Sequence, residues 1–220
     1  MAPSLLPAPK LRPVDLGLTP AEAALGLRHL PGLAFFDSSG NLSRSQALSI
    51  IAACPTGELE GNISDVRELR QQLHERMVSS PDCGFPLGAA CGWIGYDGEF
   101  SFGFYDDLLV YNHATRQWFE VGSLCEHLER NPLPELDVVG SWRSNLSKKQ
   151  FLERVRRAQD YIASGDIYQV NLSQQFSVDV SKAGSLFSLY DRLRSVSPAP
   201  MAAYIAVSYT HLTLPTNTTV

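Results

Sequence analysis

Few side chains in this sequence are spaced to do chemistry. The five histidines, His29, His74, His113, His127 and His211, are scattered over a helix, a turn and loops without metal-ligand spacing. They read as surface or capping residues. The acid pairs Asp106-Asp107 and Glu58/Glu60 fall in turns or hairpin edges, where solvated charge is the default. No GxSxG, Walker-type loop or GxGxxG occurs. Gly92, Gly95 and Gly98 lie near a strand end with no helix N-terminus behind them to hold a phosphate, so they read as packing glycines. The remaining candidate is uncharged. In SGDIYQVNLSQQFSVDV (residues 164–180) the even positions from 168 onward, Tyr168, Val170, Leu172, Phe176, Val178 and Val180, are apolar, with Gln174 the exception. The odd positions Gln169, Asn171, Ser173 and Gln175 carry amides and a hydroxyl. Such groups satisfy buried polar partners without the cost of burying a charge. The alternative is a solvated sheet face of chance composition. No reaction follows from these residues alone, and no catalytic residue or metal ligand is assigned.

The elements that would position such a row follow from periodicity. AFFDSSG, within 32–40, reads as a short buried strand ending in a turn, and ALSIIAACP (47–55) as a second strand closed by Pro55. Residues 64–78 read as a helix with Val66, Leu69, Leu73 and Met77 on one stripe and Ser64 as N-cap. Residues 86–97 form an apolar, glycine-rich strand, and 108–111 with 118–121 a hairpin around a polar turn. Residues 126–140 read as a linker. SNLSKKQFLERVRRAQDYIASGD carries the strongest helix signal. Ser147 and Gln150 make a capping box, Phe151, Val155, Ala158 and Ile162 a buried stripe, and Gly165 a left-handed C-terminal cap. The quoted strand follows, then a short helix over SLFSLYDRLRSV stopped by prolines.

Helices that punctuate hairpin-linked strands argue an α+β fold of antiparallel sheets with flanking helices. At 220 residues the chain can bury a sizeable core, and its net charge of −5 with no basic run argues against nucleic acid or a membrane surface as partner. Cys54, Cys83, Cys91 and Cys125 form no CxxC pair. They read as reduced, mostly buried thiols of a cytoplasmic protein. The proline-rich N-terminus lacks the apolar run of a signal peptide, and no stretch reaches transmembrane length. Residues 207–220, threonine-rich and without Lys, Arg, Asp or Glu, read either as a non-native tail or as an edge strand with a loose end.

SKKQFLERVRRAQDYIASGDIYQVNLSQQF resembles the signature segment of the chorismate-utilising enzymes, in particular component I of aminodeoxychorismate synthase, a family similar to anthranilate synthase component I. AFFDSSG, GAACGWIGYD and SPAPMAAYI resemble further family stretches in the right order, over about residues 33–206. The resemblance implies the N-terminal part of the anthranilate synthase component I-like fold, truncated. Residues 1–135 would be the N-terminal domain and 141–206 the start of the chorismate-binding domain.

The implied reaction is amination of chorismate to 4-amino-4-deoxychorismate for folate synthesis. Ammonia would come from a glutamine amidotransferase subunit, and Mg2+ would neutralise the chorismate carboxylate. The family's Ser-Pro-Glu acid, Pro-Ile-Lys-Gly lysine, histidine and metal-binding glutamates have no match here, so the chain alone is expected to be inactive. On this resemblance the uncharged row packs against groups from the other half of the fold. Two alternatives stand beside this one. The first is an anthranilate synthase component I fragment, which Asn171 speaks against because that branch more often has Val there. The second is a non-catalytic module for L-tryptophan. Carried over from the family, its pocket would use Ser38, Leu42, Ser43, Arg44, Ser45, Pro200, Met201 and Ala202. Asp37 stands where the anthranilate branch has Glu, and Met201 replaces an aromatic.

Overall fold

The computed structural model describes residues 9–38, 47–76, 84–130, 132–133, 138–180 and 186–206. In chain order the first elements are β1 (Leu11–Val14), α1 (Pro20–Gly26), β2 (Ala34–Asp37), β3 (Leu48–Ala52), β4 (Gly57–Asn62), α2 (Val66–Glu75) and β5 (Ala89–Ile94). Then come β6 (Glu99–Tyr105), β7 (Leu108–Asn112), β8 (Gln117–Val121), β9 (Val138–Ser144), α3 (Lys148–Ser164), β10 (Phe176–Val180), α4 (Leu186–Val196) and β11 (Ala202–Ile205). Among the described residues every strand pair is antiparallel, and the class is α+β. The chain divides into two compact units: Met1–Pro134 with Leu186–Val220, and Glu135–Ser185. Residues 186–206, grouped with 141–185 on the sequence, therefore pack with the first unit.

That unit is built on a six-stranded sheet in the order β1-β8-β7-β3-β2-β11. One core joins Ala23, Ala24 and Leu27 of the α1 region to Phe35, Ile51 and Leu109 of the strands and to Phe187 and Tyr190 of α4. A second joins Ala34, Ala52, Leu108, Val110 and Val121 to Leu87, Cys91 and Tyr105. Strands covered on both faces need continuous apolar runs, and for that reason AFF, IIA and LLV do not alternate. Burying Phe35 or Ile51, each fully enclosed, contributes about 1.5–3 kcal/mol relative to exposure.

A smaller sheet, β4-β6-β5, completes the unit. Neither β4 nor β6 is among the elements expected from sequence. GELEGN is rich in glycine and acid, poor strand material, and becomes a strand because all six of its residues find partners along β6. Also unexpected are β1 and α1, although Thr19 and Glu22 form a complete capping box with Pro20 in the first turn. At α2 the cap moves. A 3-10 turn, Ile63–Asp65, precedes the helix, and Asn62, not Ser64, caps that turn by accepting from the Ser64 amide at 3.1 Å. Of the expected stripe only Leu69 is buried. Leu73 is exposed and Met77 lies outside the described residues.

In the second unit α3 has the expected capping box between Ser147 and Gln150 and the left-handed cap at Gly165, with φ 81°. Its stripe is not buried: Phe151, Val155 and Ala158 are half-exposed and Ile162 is exposed. The expected long strand is likewise shortened to β10. Residues 167–175 form no strand, because β9 meets the chain only from Phe176 onward. β9 itself begins inside the stretch read as a linker. An exposed two-point pairing of Arg143 with Asp179, both contacts 2.9 Å, ties β9 to β10, and it holds Asp179 below the usual carboxylate range. The tail 207–220 lies outside the described residues.

Candidate functional site

β11 and β2 bring the described members of the tryptophan-pocket set to one end of the large sheet. Ala202 pairs with Asp37, so the register carries Met201 to the level of Ser38. Ala202 is buried, whereas Pro200 and Met201 are exposed, Met201 at 79%. Ser38 is anchored on both sides: its Oγ donates to the Leu48 carbonyl at 2.8 Å and its amide donates to Ser49 Oγ at 3.2 Å. With its proton so directed, the hydroxyl oxygen can act only as an acceptor toward a ligand. Leu42, Ser43, Arg44 and Ser45 lie outside the described residues.

Beside Ser38 sits a polar cluster that sequence reasoning missed. Asp37 is 2% exposed and accepts from Arg194 Nε at 2.7 Å, from Tyr190 OH at 3.3 Å and from Ser49 Oγ at 3.5 Å. Ser49, fully buried, also lies 2.8 Å from His113 Nε2. Burial works against the Arg194 charge, but the hydrogen bond and field of Asp37 outweigh it, and the pKa rises. The Tyr190 phenol is raised by burial first and by the Asp37 charge second. Arg194 and Tyr190 thus both keep their protons beside Asp37. Chemically the cluster is a clamp between β2 and α4, not a poised acid or base. An acid closing an otherwise apolar strand, Ala-Phe-Phe-Asp, was the only local signal for it.

A second buried carboxylate is equally committed. Glu120, with no exposure, accepts from Arg12 at 2.6 and 2.8 Å and from the Cys125 amide at 2.7 Å. Asp107 caps the turn at Ser123, while Asp106, Glu58 and Glu60 are exposed, as read from sequence. Of the other histidines, His29 stands 3.6 Å from Glu129, His74 and His127 are exposed, and His211 is outside the described residues. Among the described residues no three His, Cys, Asp or Glu side chains gather as a site for a metal ion. These residues do not fit a Mg2+ centre.

Neither Cys91 nor Cys125 is a nucleophile in waiting. Burial pushes both Cys91 and Cys125 up to about 12, with Glu120 adding to the shift at Cys125. Against the reading of mostly buried thiols, Cys54 is exposed and Cys125 intermediate, while Cys83 is outside the described residues. Cys91 makes a pH prediction. Its thiol is held neutral in the fold but ionises from about pH 9 once unfolded. Its stabilising effect is therefore complete below pH 9 and is lost as pH rises toward 12, at roughly 1 kcal/mol per pH unit. Urea midpoints measured from pH 8 to 11 should fall less steeply in Cys91→Ala than in the parent. Parallel slopes would remove Cys91 as the source.

The uncharged segment belongs to the second unit. Gln175 donates its amide N–H to Asn145 Oδ1 at 2.9 Å and Gln174 Nε2 donates to Ser144 Oγ at 3.1 Å. Gln169, Asn171 and Ser173 are exposed, and so are the apolar Tyr168, Val170 and Leu172 between them.

Comparison of sequences supplies the class. Residues 89–213 match the chorismate binding enzyme family, and the chain belongs to it. Among named relatives, it is 37% identical over 165 residues to aminodeoxychorismate synthase component 1 of Streptomyces lividans, covering 69% of this chain and 30% of that protein. It is 27% identical over 176 residues to the protein of the same name from Escherichia coli K12, covering 64% and 37%. Anthranilate synthase component 1 of Geobacillus stearothermophilus is 46% identical over a shorter 61 residues, 28% of this chain and 12% of that one. The chain spans about a third of the length of the aminodeoxychorismate relatives. Among the described residues no helix is long and apolar enough to cross a membrane.

Proposed function

We propose that this chain is the N-terminal part of a component I that aminates chorismate to 4-amino-4-deoxychorismate, working in the cytoplasm with a glutamine amidotransferase subunit as ammonia source. The observation that carries the reading is the family match together with aminodeoxychorismate relatives alignable over about two thirds of the chain. The roles left to this chain are structural and binding roles. The buried carboxylates Asp37 and Glu120 are consumed by Arg194 and Arg12, and the catalytic acid, lysine and Mg2+ ligands would come from the C-terminal half of the fold. The 46% identity to an anthranilate synthase component over 61 residues supports the tryptophan-branch reading as the second choice.

A graft separates the two. The chain would replace the aligned N-terminal segment of the Escherichia coli aminodeoxychorismate relative and, separately, that of the Geobacillus anthranilate relative. Each hybrid would be assayed for its product from chorismate and ammonia. Formation of 4-amino-4-deoxychorismate by the first hybrid only is expected; anthranilate from the second only would reverse the assignment. The chain alone, given chorismate, ammonia and Mg2+, should form no product above a no-protein control.

We further propose that the Ser38 end of β2, with residues 42–45 and Pro200, Met201 and Ala202, receives L-tryptophan. The support is the shared register of β2 and β11 and the acceptor left on Ser38. Isothermal titration with L-tryptophan tests it, and absence of heat in the parent together with Ser38→Ala would discard the pocket.

A further inference from the structure

We propose that the Ser49 hydroxyl is a two-position switch thrown by His113: it donates to His113 while the imidazole is neutral and turns to Asp37 when the imidazole is protonated. Neighbouring strands set the geometry, since β3 lies between β7 and β2 in the large sheet. Ser49 of β3 stands opposite Tyr111 of β7, and His113 follows two residues later, its amide bonded to the Ala47 carbonyl at 3.1 Å. Residues two apart along an extended chain share a face, and His113 Nε2 comes within 2.8 Å of Ser49 Oγ. On the β2 side the same oxygen accepts from the Ser38 amide at 3.2 Å and lies 3.5 Å from Asp37 Oδ1. Ser49 is fully buried and Asp37 almost so, so these neighbours, not water, direct the hydroxyl proton.

A serine hydroxyl has one proton to give and two lone pairs to offer. The Ser38 amide takes one lone pair, which leaves one proton and one lone pair between His113 and Asp37. A neutral imidazole protonated on Nδ1 takes the hydroxyl proton at 2.8 Å, in preference to an Asp37 contact of 3.5 Å that lies beyond the usual O–H···O range. An imidazolium offers only N–H groups. Ser49 Oγ then accepts from both Nε2 and the Ser38 amide, and its proton has Asp37 Oδ1 to turn to. The Ser38 amide keeps its acceptor in both states, so the change falls on Asp37 and its clamp to α4. Among the described residues, the titratable and charged groups around the switch come from several elements. They are Asp37 on β2, Tyr190 and Arg194 on α4, and Tyr111 on β7, whose ring stands edge-on to the imidazole at 4.9 Å. Arg194 is shared with Asp191 at 3.6 Å.

The test is NMR of the full chain labelled with 15N and 13C, read from about pH 8.5 to about pH 5, the span in which an imidazole titrates. The ring signals missing from His113→Gln identify His113. At the alkaline end its proton is expected on Nδ1, the minor tautomer of a free imidazole, with Nε2 bare. On acidification the ring should become doubly protonated, and the Asp37 carboxyl carbon and the Arg194 Nε–H should shift in the same step. In Ser49→Ala the neutral ring should revert to the Nε2–H tautomer, and Asp37 and Arg194 should lose the step. An Nε2–H tautomer at the alkaline end of the parent would overturn the proposal, because the hydroxyl would then face Asp37 throughout. A ring that stays neutral down to pH 5 would overturn it as well. So would an Asp37 response undiminished in Ser49→Ala, which would assign it to the field of the imidazolium alone. Should Ser49→Ala fail to fold, the tautomer of the parent still decides.

Discussion

Arg194→Leu is expected to destabilise the first unit by about 3–5 kcal/mol, the usual cost of stripping one partner from a buried ion pair. The reason is asymmetry of burial: the Asp37 side chain is 1% exposed and that of Arg194 23%. Without the guanidinium the carboxylate keeps only Tyr190 and a long contact to Ser49, and water cannot reach it to compensate. The urea midpoint measures the loss. Adding Asp37→Leu to Arg194→Leu should recover much of it, since removing both charges leaves nothing unpaired. A single variant as stable as the parent, or a double variant additive in its losses, would show that the pair does not hold α4 to β2.

Gly92→Val is expected to cost at least as much and to disrupt the small sheet. A Cβ at this position would run into the Ser101 carbonyl oxygen and come within 2.7 Å of Phe102 Cα. Both obstacles are backbone of β6, the central strand, which cannot swing aside as a side chain can. The strand register pairs Gly92 with Phe102, so relief requires opening the β5–β6 ladder itself. Gly95 is the control. A Cβ there meets only Trp93 at 3.3 Å and the Glu99 carbonyl at 3.5 Å, contacts that small shifts absorb, and Gly95→Ala should lose about 1 kcal/mol or less. Thermal melts of the two variants beside the parent decide the matter: equal losses would mean that glycine content, not close approach, governs this hairpin.

Only some of this could be read in advance. What is local was legible in the residues themselves. Ser147, Gln150 and Gly165 set both ends of α3; the apolar runs around Phe35, Ile51 and Leu109 set the central strands; the polar turn between β7 and β8 set their hairpin. In each case the residues that encode the structure lie within a few positions of it. The signature segment 147–176, which comprises α3 and the residues that follow it, likewise marked the chorismate-utilising family without any knowledge of the fold.

What lay beyond was decided by residues distant in the chain. GELEGN is a strand only because β6 lies beside it, and β9 and β10 exist only as a pair. Alternation in 167–178 showed two faces but could not show whether either is covered; in the structure residues 168–173 stand open on both, while Gln174 and Gln175 bond to Ser144 and Asn145. The Asp37 clamp needs Arg194, which is 157 positions away, brought back when β11 adds to β2 and carries α4 onto the first unit. Caps, turns and periodicity act over one or two turns of backbone, so sequence reports them directly. Burial and ion pairing depend on which distant strand arrives, and no local pattern of residues encodes that.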